Sequence, residues 1–347
     1  MASLGETHAA ARTGARRRVA IVIGGTRGIG ASTAYALAEH GYTVVVAGRA
    51  VDGGTDGVAS DVDFSSAASS AASVSAAINA RLGVAGLDLG LGRTRGFQGF
   101  PLVLAVPLPC DVCDHDSIDR LVATTTELFG SESLCLVVYN AGAIFWAQVK
   151  DTPSKRFNLL NRVNEVGLYK TVDTVLPIFL KNKYGRFLVV SPPIYSRFFR
   201  GKTAYAMGKV AMTVLTHGLA MDLDEQHPDF DIAISSLWPA TAIKSAVTNH
   251  KNVSPKLLRH PAIFADAVVA IADQNKLAIN GHAFIDEDFL RSFCNVSDFS
   301  KYRIDPAIEP PRMMPKIFPS LLVQEQDDRG FSVDGDSGGK AKVAAKL

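Results

Sequence analysis

The chain has 347 residues, 36 basic and 34 acidic, for a formal charge of +2. That near-balance excludes a nucleic-acid interface built on net positive charge. A content of 47% hydrophobic and 20% charged residues is that of an ordered globular protein long enough to bury a core without staples.

Residues 1–17 read as a flexible lead. They carry Arg12, Arg16 and Arg17 against the single acid Glu6 and lack a secretory apolar core. A solvated lead-in and a mitochondrial presequence both fit. Arg18 to Ile23 is a short apolar strand, followed by the turn Gly24-Gly25-Thr26-Arg27-Gly28-Ile29-Gly30. A helix over Ala31 to Glu39 and a strand over Thr43 to Ala47 come next, the latter ending in Gly48-Arg49. Residues 51–100 form an Ala/Ser/Gly-rich insertion, with a helix predicted over Ser65 to Leu82 and a glycine-rich surface stretch over Gly83 to Gly99.

Further strands are predicted at Leu102 to Val106, Leu134 to Tyr139, Arg186 to Ser191, Asp231 to Leu237 and His282 to Asp286. Helices are predicted at Asp116 to Phe129, Pro153 to Lys181, Ala204 to Glu225 and Ile263 to Asp273. Apolar strands alternating with helices predict an α/β fold: a doubly wound parallel Rossmann sheet of about seven strands with helices on both faces, in one domain over 18–300. Residues 301–347 read as an extended arm and a disordered tail. No uncharged apolar run reaches the roughly 18 residues of a membrane span. Four cysteines are too few for a disulfide framework and indicate a reducing compartment. Cys110 and Cys113 form a C-x-x-C without a second pair at zinc spacing, so no metal is expected.

The glycine turn lets backbone approach a pyrophosphate at a helix N-terminus, which assigns Gly24, Thr26, Arg27, Gly28, Ile29 and Gly30 to a dinucleotide. Arg49 stands where an NAD site would carry an acid, and its guanidinium suits a 2′-phosphate. NADP(H) is therefore preferred over NAD(H), with Arg27 as a second cation. Asp111 and Val112 close the third strand, and the Asp111 carboxylate suits the adenine amino group. Asn140, Ala141 and Gly142 close the fourth and leave room for the cofactor. Tyr205 and Lys209 lie four residues apart, on one face of a helix. There the ammonium is expected to lower the phenol pKa toward neutrality and make Tyr205 a general acid/base.

In this order the motifs resemble the short-chain dehydrogenase/reductase family over about Arg17 to Phe289. The resemblance implies that Asn164 holds a water linking Lys209 to solvent, and that Lys209 binds the nicotinamide ribose. It also implies that Pro239 and Thr241, within Trp238-Pro239-Ala240-Thr241, contact the nicotinamide. Within the family, four segments resemble the hydroxysteroid dehydrogenase-like protein type 2 subgroup: Asp151 to Arg156, Ser191-Pro192-Pro193, Leu237 to Ile243 and Phe284 to Glu287. The chain is too short for the sterol-carrier-like domain that can follow in that subgroup.

The sequence departs from the family pattern at Ile23 (usually Thr), Tyr139 (usually Asn), Ala240 (usually Gly) and Pro192 (usually the catalytic Ser). Ser191, one residue earlier, is taken as the substrate-orienting hydroxyl. The chain ends in Ala345-Lys346-Leu347, which resembles a peroxisomal address read by an import receptor. That points to a peroxisome or a related organelle such as a glycosome, with mitochondrion or cytoplasm as alternatives. A small lipid-like carbonyl or alcohol is the expected substrate, and a homodimer or homotetramer the expected assembly. The alternatives are an enoyl or dienoyl thioester reductase and a catalytically weak NADP(H)-binding sensor or scaffold.

Overall fold

The structure is a computed structural model that describes residues 17–49, 51, 70–83, 104–250 and 253–321. The lead before residue 17, the stretch 84–103 of the insertion and the C-terminal tripeptide lie outside these residues.

Runs of β-branched and small apolar residues form the first strands, β1 (Arg18–Ile23) and β2 (Tyr42–Gly48). Helix α1 (Gly28–Glu39) connects them. The period-2 alternation sends Ala20, Val22, Val44 and Val46 to one face of the sheet and Val19, Ile21, Val45 and Ala47 to the other. Both faces are therefore apolar and both need cover.

The chain continues through α2 (Ala71–Arg81), β3 (Ala105–Pro109), α3 (His115–Phe129), β4 (Leu134–Tyr139), α4 (Ser154–Asn161) and α5 (Gly167–Asn182). Then come β5 (Tyr184–Val189), α6 (Thr203–Gln226), β6 (Asp231–Trp238), β7 (Ala242–Ile243), α7 (Ala246–His250), β8 (Leu258–Arg259), α8 (Ala262–Ala272), α9 (Lys276–Ile279), β9 (Ala283–Ile285) and α10 (Asp286–Cys294). Seven strands form a parallel sheet in the order β3-β2-β1-β4-β5-β6-β9, with β7 and β8 paired apart. Helices α1, α2, α8 and α10 cover one face, and α3, α5 and α6 the other. The doubly wound sheet expected from sequence is thus present. Strand order reverses between β1 and β4, which opens a crevice at their carboxyl ends.

Several boundaries differ from the sequence reading. The third strand runs three residues later than predicted, over Ala105–Pro109, and contains Pro107 and Pro109. It lies at the sheet edge, where a missing N–H costs no ladder bond. Asn79 of α2 fixes its start: Oδ1 accepts from Leu104 N (3.2 Å) and Ala105 N (2.9 Å), and Nδ2 donates to Ala105 O (2.9 Å). Helix α2 starts at Ala71 because Ser70 and Ser73 form a reciprocal cap there. The single helix predicted over Pro153 to Lys181 is α4 and α5 joined by a π turn, Arg162–Val166. The two-residue strands and α7, α9 and α10 were not foreseen.

The segment after residue 300 has little regular structure but packs back on the domain. Arg312 donates to both oxygens of Asp288 at 2.7 Å, and the N–H groups of Met313 and Met314 donate to Ala240 O (2.8 and 3.1 Å). Arg259, fully buried, joins this segment to α10 by pairing with Glu287 (2.7 Å) and with Glu309. No described helix is long and apolar enough to cross a membrane.

Gly185 in β5 lies against the fully buried ring of Phe179, and a methyl at that position would overlap ring carbons. Gly185→Ala is expected to cost about 1–3 kcal/mol. A thermal melt checks this, and an unchanged midpoint would contradict the packing described.

Candidate active site

The glycine turn after β1 is shaped by close contacts on both sides. Gly24 has φ +83°, and a side chain there would lie 2.7 Å from Ala141 N. A methyl on Gly30 would overlap the Gly24 carbonyl oxygen. The N–H groups of Gly24 and Gly25 donate to Ala47 O (2.8 and 3.1 Å). Asn140 holds the other side: its N–H donates to Ile23 O (3.0 Å) and its Nδ2 to Gly24 O (2.8 Å). Asn140 therefore acts as a strut between β4 and the turn, while Ala141 and Gly142 continue along the crevice.

Helix α1 begins at Gly28 with no side-chain cap from Arg27 and no acid in its first turn. Its free N–H groups and positive dipole end suit an anion. The Thr26 methyl covers Gly48 at the end of β2, and Ile29, in the first turn of α1, packs against the core. Arg27 and Arg49 are both exposed, one at the turn and one just past β2. Asp111 Oδ1 accepts from Cys113 N (3.0 Å), and Val112 is buried against Gly167. The glycine turn and the N-terminus of α1 would hold the pyrophosphate of a dinucleotide. Burial pushes the Cys110 thiol up to about 12, which keeps it protonated and unreactive.

The second half of the site hangs from α6. Tyr205 is 3% exposed and Lys209 4%. Lys209 Nζ donates to Val190 O at the end of β5 (2.7 Å) and lies 5.5 Å from the Trp238 ring centre. A Cβ on Gly142 would sit 3.5 Å from Lys209 Nζ and 3.6 Å from Asn164 Oδ1, so these three residues meet. Asn164 is fully buried within the π turn, where its side chain pairs with both backbone groups of Ala143 (3.0 and 3.2 Å). π turns interrupt helices mostly at functional sites. Tyr139, in place of the family's Asn, donates its hydroxyl to Val163 O in that turn (2.5 Å).

The electrostatics differ from the sequence expectation. Burial raises the Tyr205 phenol well above its ordinary value, and burial lowers the Lys209 ammonium to about 7. Spacing alone suggests that Lys209 charges Tyr205 downward. Desolvation by burial is the cause of both shifts.

Ser191 is not brought to Tyr205. It is fully buried, and its Oγ accepts from Thr213 Oγ1 (2.9 Å). Thr213 lies eight residues beyond Tyr205, roughly 12 Å along the helix axis.

The loop after β6 is anchored by the start of α10. Asp286 Oδ1 accepts from Ala240 N (2.8 Å) and Glu287 N (2.7 Å), and Glu287 Oε1 accepts from Thr241 Oγ1 (3.1 Å). Pro239, which precedes this anchor, is half-buried. Full burial raises Asp286 to about 7, with Glu287 adding to the rise. Sequence reasoning missed this anchor, although Asp286 and Glu287 lie in the segment Phe284 to Glu287 that carries the subgroup resemblance. It also missed an aromatic cluster around Tyr205. Phe198 lies 6.0 Å and Trp146 6.3 Å from the Tyr205 ring, and Phe198 meets Trp238 at 5.9 Å. Phe145, Phe157, Phe199, Met314 and Phe318 extend it. The pairs Phe145-Trp146 and Phe198-Phe199 were the available signal.

The short chain dehydrogenase family model matches residues 102–254. Hydroxysteroid dehydrogenase-like protein 2 of Mus musculus is 31% identical over 231 residues, 64% of this chain and 45% of the relative. The Danio rerio protein of the same name is 32% identical over 233 residues, 64% of this chain and 53% of the relative. The chain thus spans about half the length of the curated relatives it matches. Among solved structures, a putative dehydrogenase from Xanthomonas campestris superposes with a TM-score of 0.67 at 26% identity, covering 89% of this chain and 98% of that one. With the parallel sheet, the glycine turn and the Tyr205–Lys209 pair in place, the chain is similar to short-chain dehydrogenases, in sequence over residues 102–254 and in fold across the described residues.

Proposed function

We propose that this chain is an NADP(H)-dependent oxidoreductase acting on a lipid-derived carbonyl or alcohol. The observation that carries this reading is the buried Tyr205 phenol, beside Lys209 and under an apolar aromatic wall. Bound nicotinamide supplies or accepts the hydride. Tyr205 gives its phenolic proton to the carbonyl oxygen, and its raised pKa keeps that proton in place at neutral pH, which favours reduction. Lys209 takes up a proton as an anionic ligand enters, and its charge then eases formation of the phenolate. Arg27 and Arg49 support the 2′-phosphate preference, since guanidinium forks match phosphate oxygens.

Two outer features complete the proposal. Met207, Val214 and Met221 stand exposed at seven-residue spacing on α6, with Val166 and Tyr169 exposed beside α5. This apolar stripe supports pairing with a second copy across a two-fold axis, as a dimer or within a tetramer. Ala345-Lys346-Leu347 supports recognition by a peroxisomal import receptor, hence residence in a peroxisome or glycosome. One observation favours a second reading, a cofactor-binding protein with weak turnover: the hydroxyl of Ser191 is held by Thr213 and position 192 is proline.

NADPH oxidation on medium- and long-chain carbonyls tests the main reading. Tyr205→Phe is expected to lose about 10²–10⁴-fold in turnover while retaining NADPH binding. Tight NADPH binding without turnover in either protein would favour the second reading. Arg49→Asp is expected to weaken NADPH by about 10–100-fold and leave NADH affinity equal or better. Equal losses for both cofactors would count against the phosphate role.

The Lys209 value sets a pH dependence. A ligand that favours the ammonium form binds best below about 7 and loses affinity as pH rises through that value. NADPH titrations from pH 6 to 9 on the wild type and on Lys209→Met check this. A flat wild-type profile would contradict it. The same burial sets a stability effect. The folded pKa lies below the unfolded one, so the folded protein binds fewer protons than the unfolded chain between about 7 and 10.5. Lys209 therefore destabilises the fold below that window. Lys209→Met is expected to raise the melting temperature at pH 7.

A further inference from the structure

The aromatic cluster around Tyr205 is ringed by cations that the proton and hydride chemistry leaves unused. The Arg156 guanidinium lies 5.7 Å from the centre of the Phe145 ring. Lys202 Nζ lies 4.3 Å from the centre of Phe198 and 5.5 Å from that of Trp146. Arg197 reaches Met313 O at 3.4 Å, next to Met314, which meets the Tyr195 hydroxyl at 3.4 Å.

The sequence concentrates charge here. From Tyr195 to Lys202 there are three cations, Arg197, Arg200 and Lys202, and no acid. From Lys150 to Arg156 the single acid Asp151 faces Lys150, Lys155 and Arg156 in number. Among the described residues no carboxylate pairs with Arg156, Arg197 or Arg200. Arg312, in the arm segment that carries Met314, is by contrast neutralised by Asp288.

We infer that the substrate is an anionic amphiphile: an apolar carbonyl chain whose far end carries a carboxylate or a phosphate. This deepens the function proposed above and rests on its reading of the aromatic cluster as the substrate cavity. The rings of Phe157, Phe198 and Trp238 suit hydrocarbon and exclude a charge from the interior. Arg156 lies over the Phe145 ring and Arg197 reaches the Met313 carbonyl, and guanidinium is weakly hydrated with a planar fork that matches carboxylate and phosphate oxygens. Like charges gathered around an apolar cluster repel one another, and an anion seated among them removes that cost. The Arg156 and Arg197 contacts just described hold these cations near the cavity, so an anion at the mouth meets them with little reorganisation.

The chain's two tryptophans, Trp146 and Trp238, both belong to this neighbourhood, so intrinsic fluorescence reads ligand entry without requiring turnover. The test titrates the full-length protein with decanoate, decyl phosphate and decanol. At least one anion is expected to bind about ten-fold more tightly than the alcohol, and the advantage is expected to shrink with added salt. Tighter binding of decanoate identifies a free acid, and tighter binding of decyl phosphate a phosphorylated carrier. Arg156→Glu with Arg197→Glu is expected to cut the anion's advantage about ten-fold, and the single Arg156→Gln to cut it in part.

Equal affinity for all three probes overturns the inference, as does an advantage unaffected by salt and by both sets of substitutions. The two proposals fail separately. Tyr205-dependent turnover of neutral ketones with no preference for anions sinks this inference alone. Anion-selective binding with no turnover of any carbonyl sinks the reductase reading alone.

Discussion

The hydrogen bond from Asn140 to the Gly24 carbonyl joins the two strands between which the sheet reverses its order. A parallel sheet exposes strand ends only at its edges, and a crevice forms where connections leave in opposite directions. Here the crevice is narrow enough that Gly24 and Gly30 admit no side chain. The glycine turn, the free N-terminus of α1 and the arginines beyond it all take their positions from that junction. Two residues further along the same strand end, Gly142 meets Lys209 and Asn164. One short stretch of chain after β4 therefore couples the cofactor side of the site to its proton-transfer side.

On that second side the governing effect is desolvation. Tyr205 and Lys209 are both taken almost wholly out of water, and each moves toward its neutral form. The result is a proton donor beside an ammonium that is easily discharged, which suits delivery of a proton to a carbonyl. The loop after β6 is fixed from below by Asp286 and Glu287, and from above by the backbone of Met313 and Met314. Arg259 ties those two supports together through Glu287 and Glu309. The loop after β6 thus depends on a segment that composition alone marks as an arm.

The parts of this arrangement that sequence made legible are those with a fixed local spacing. Continuous apolar strands, the glycine turn, Asn140-Ala141-Gly142 and the Tyr205–Lys209 pair each follow from backbone geometry within a few residues. What escaped is set by contacts between distant segments. The π turn at Asn164 has no compositional sign, because Arg162 to Val166 contain no glycine or proline and the extra residue is held by Tyr139 and Ala143 from outside the helix. The β3 register was misjudged because prolines argue against a strand unless the strand is known to lie at an edge. Ser191 stands near enough in sequence to the expected position, yet its hydroxyl satisfies Thr213 because it is buried under α6. The Tyr205 pKa was read from its neighbour four residues away, whereas burial by Phe198, Trp146 and their neighbours decides it.

The ionisation of Tyr205 tests this account most directly. Carbon-13 labelling of the tyrosine ring carbon that bears the hydroxyl, with Tyr205→Phe to assign the signal, reports each phenol separately in an NMR titration of the ligand-free protein. The Tyr205 signal is expected to stay that of the neutral phenol through pH 10, where a solvent-exposed tyrosine is about half ionised. Ionisation of Tyr205 at or below that pH would mean that charge from Lys209, rather than burial, governs the pair.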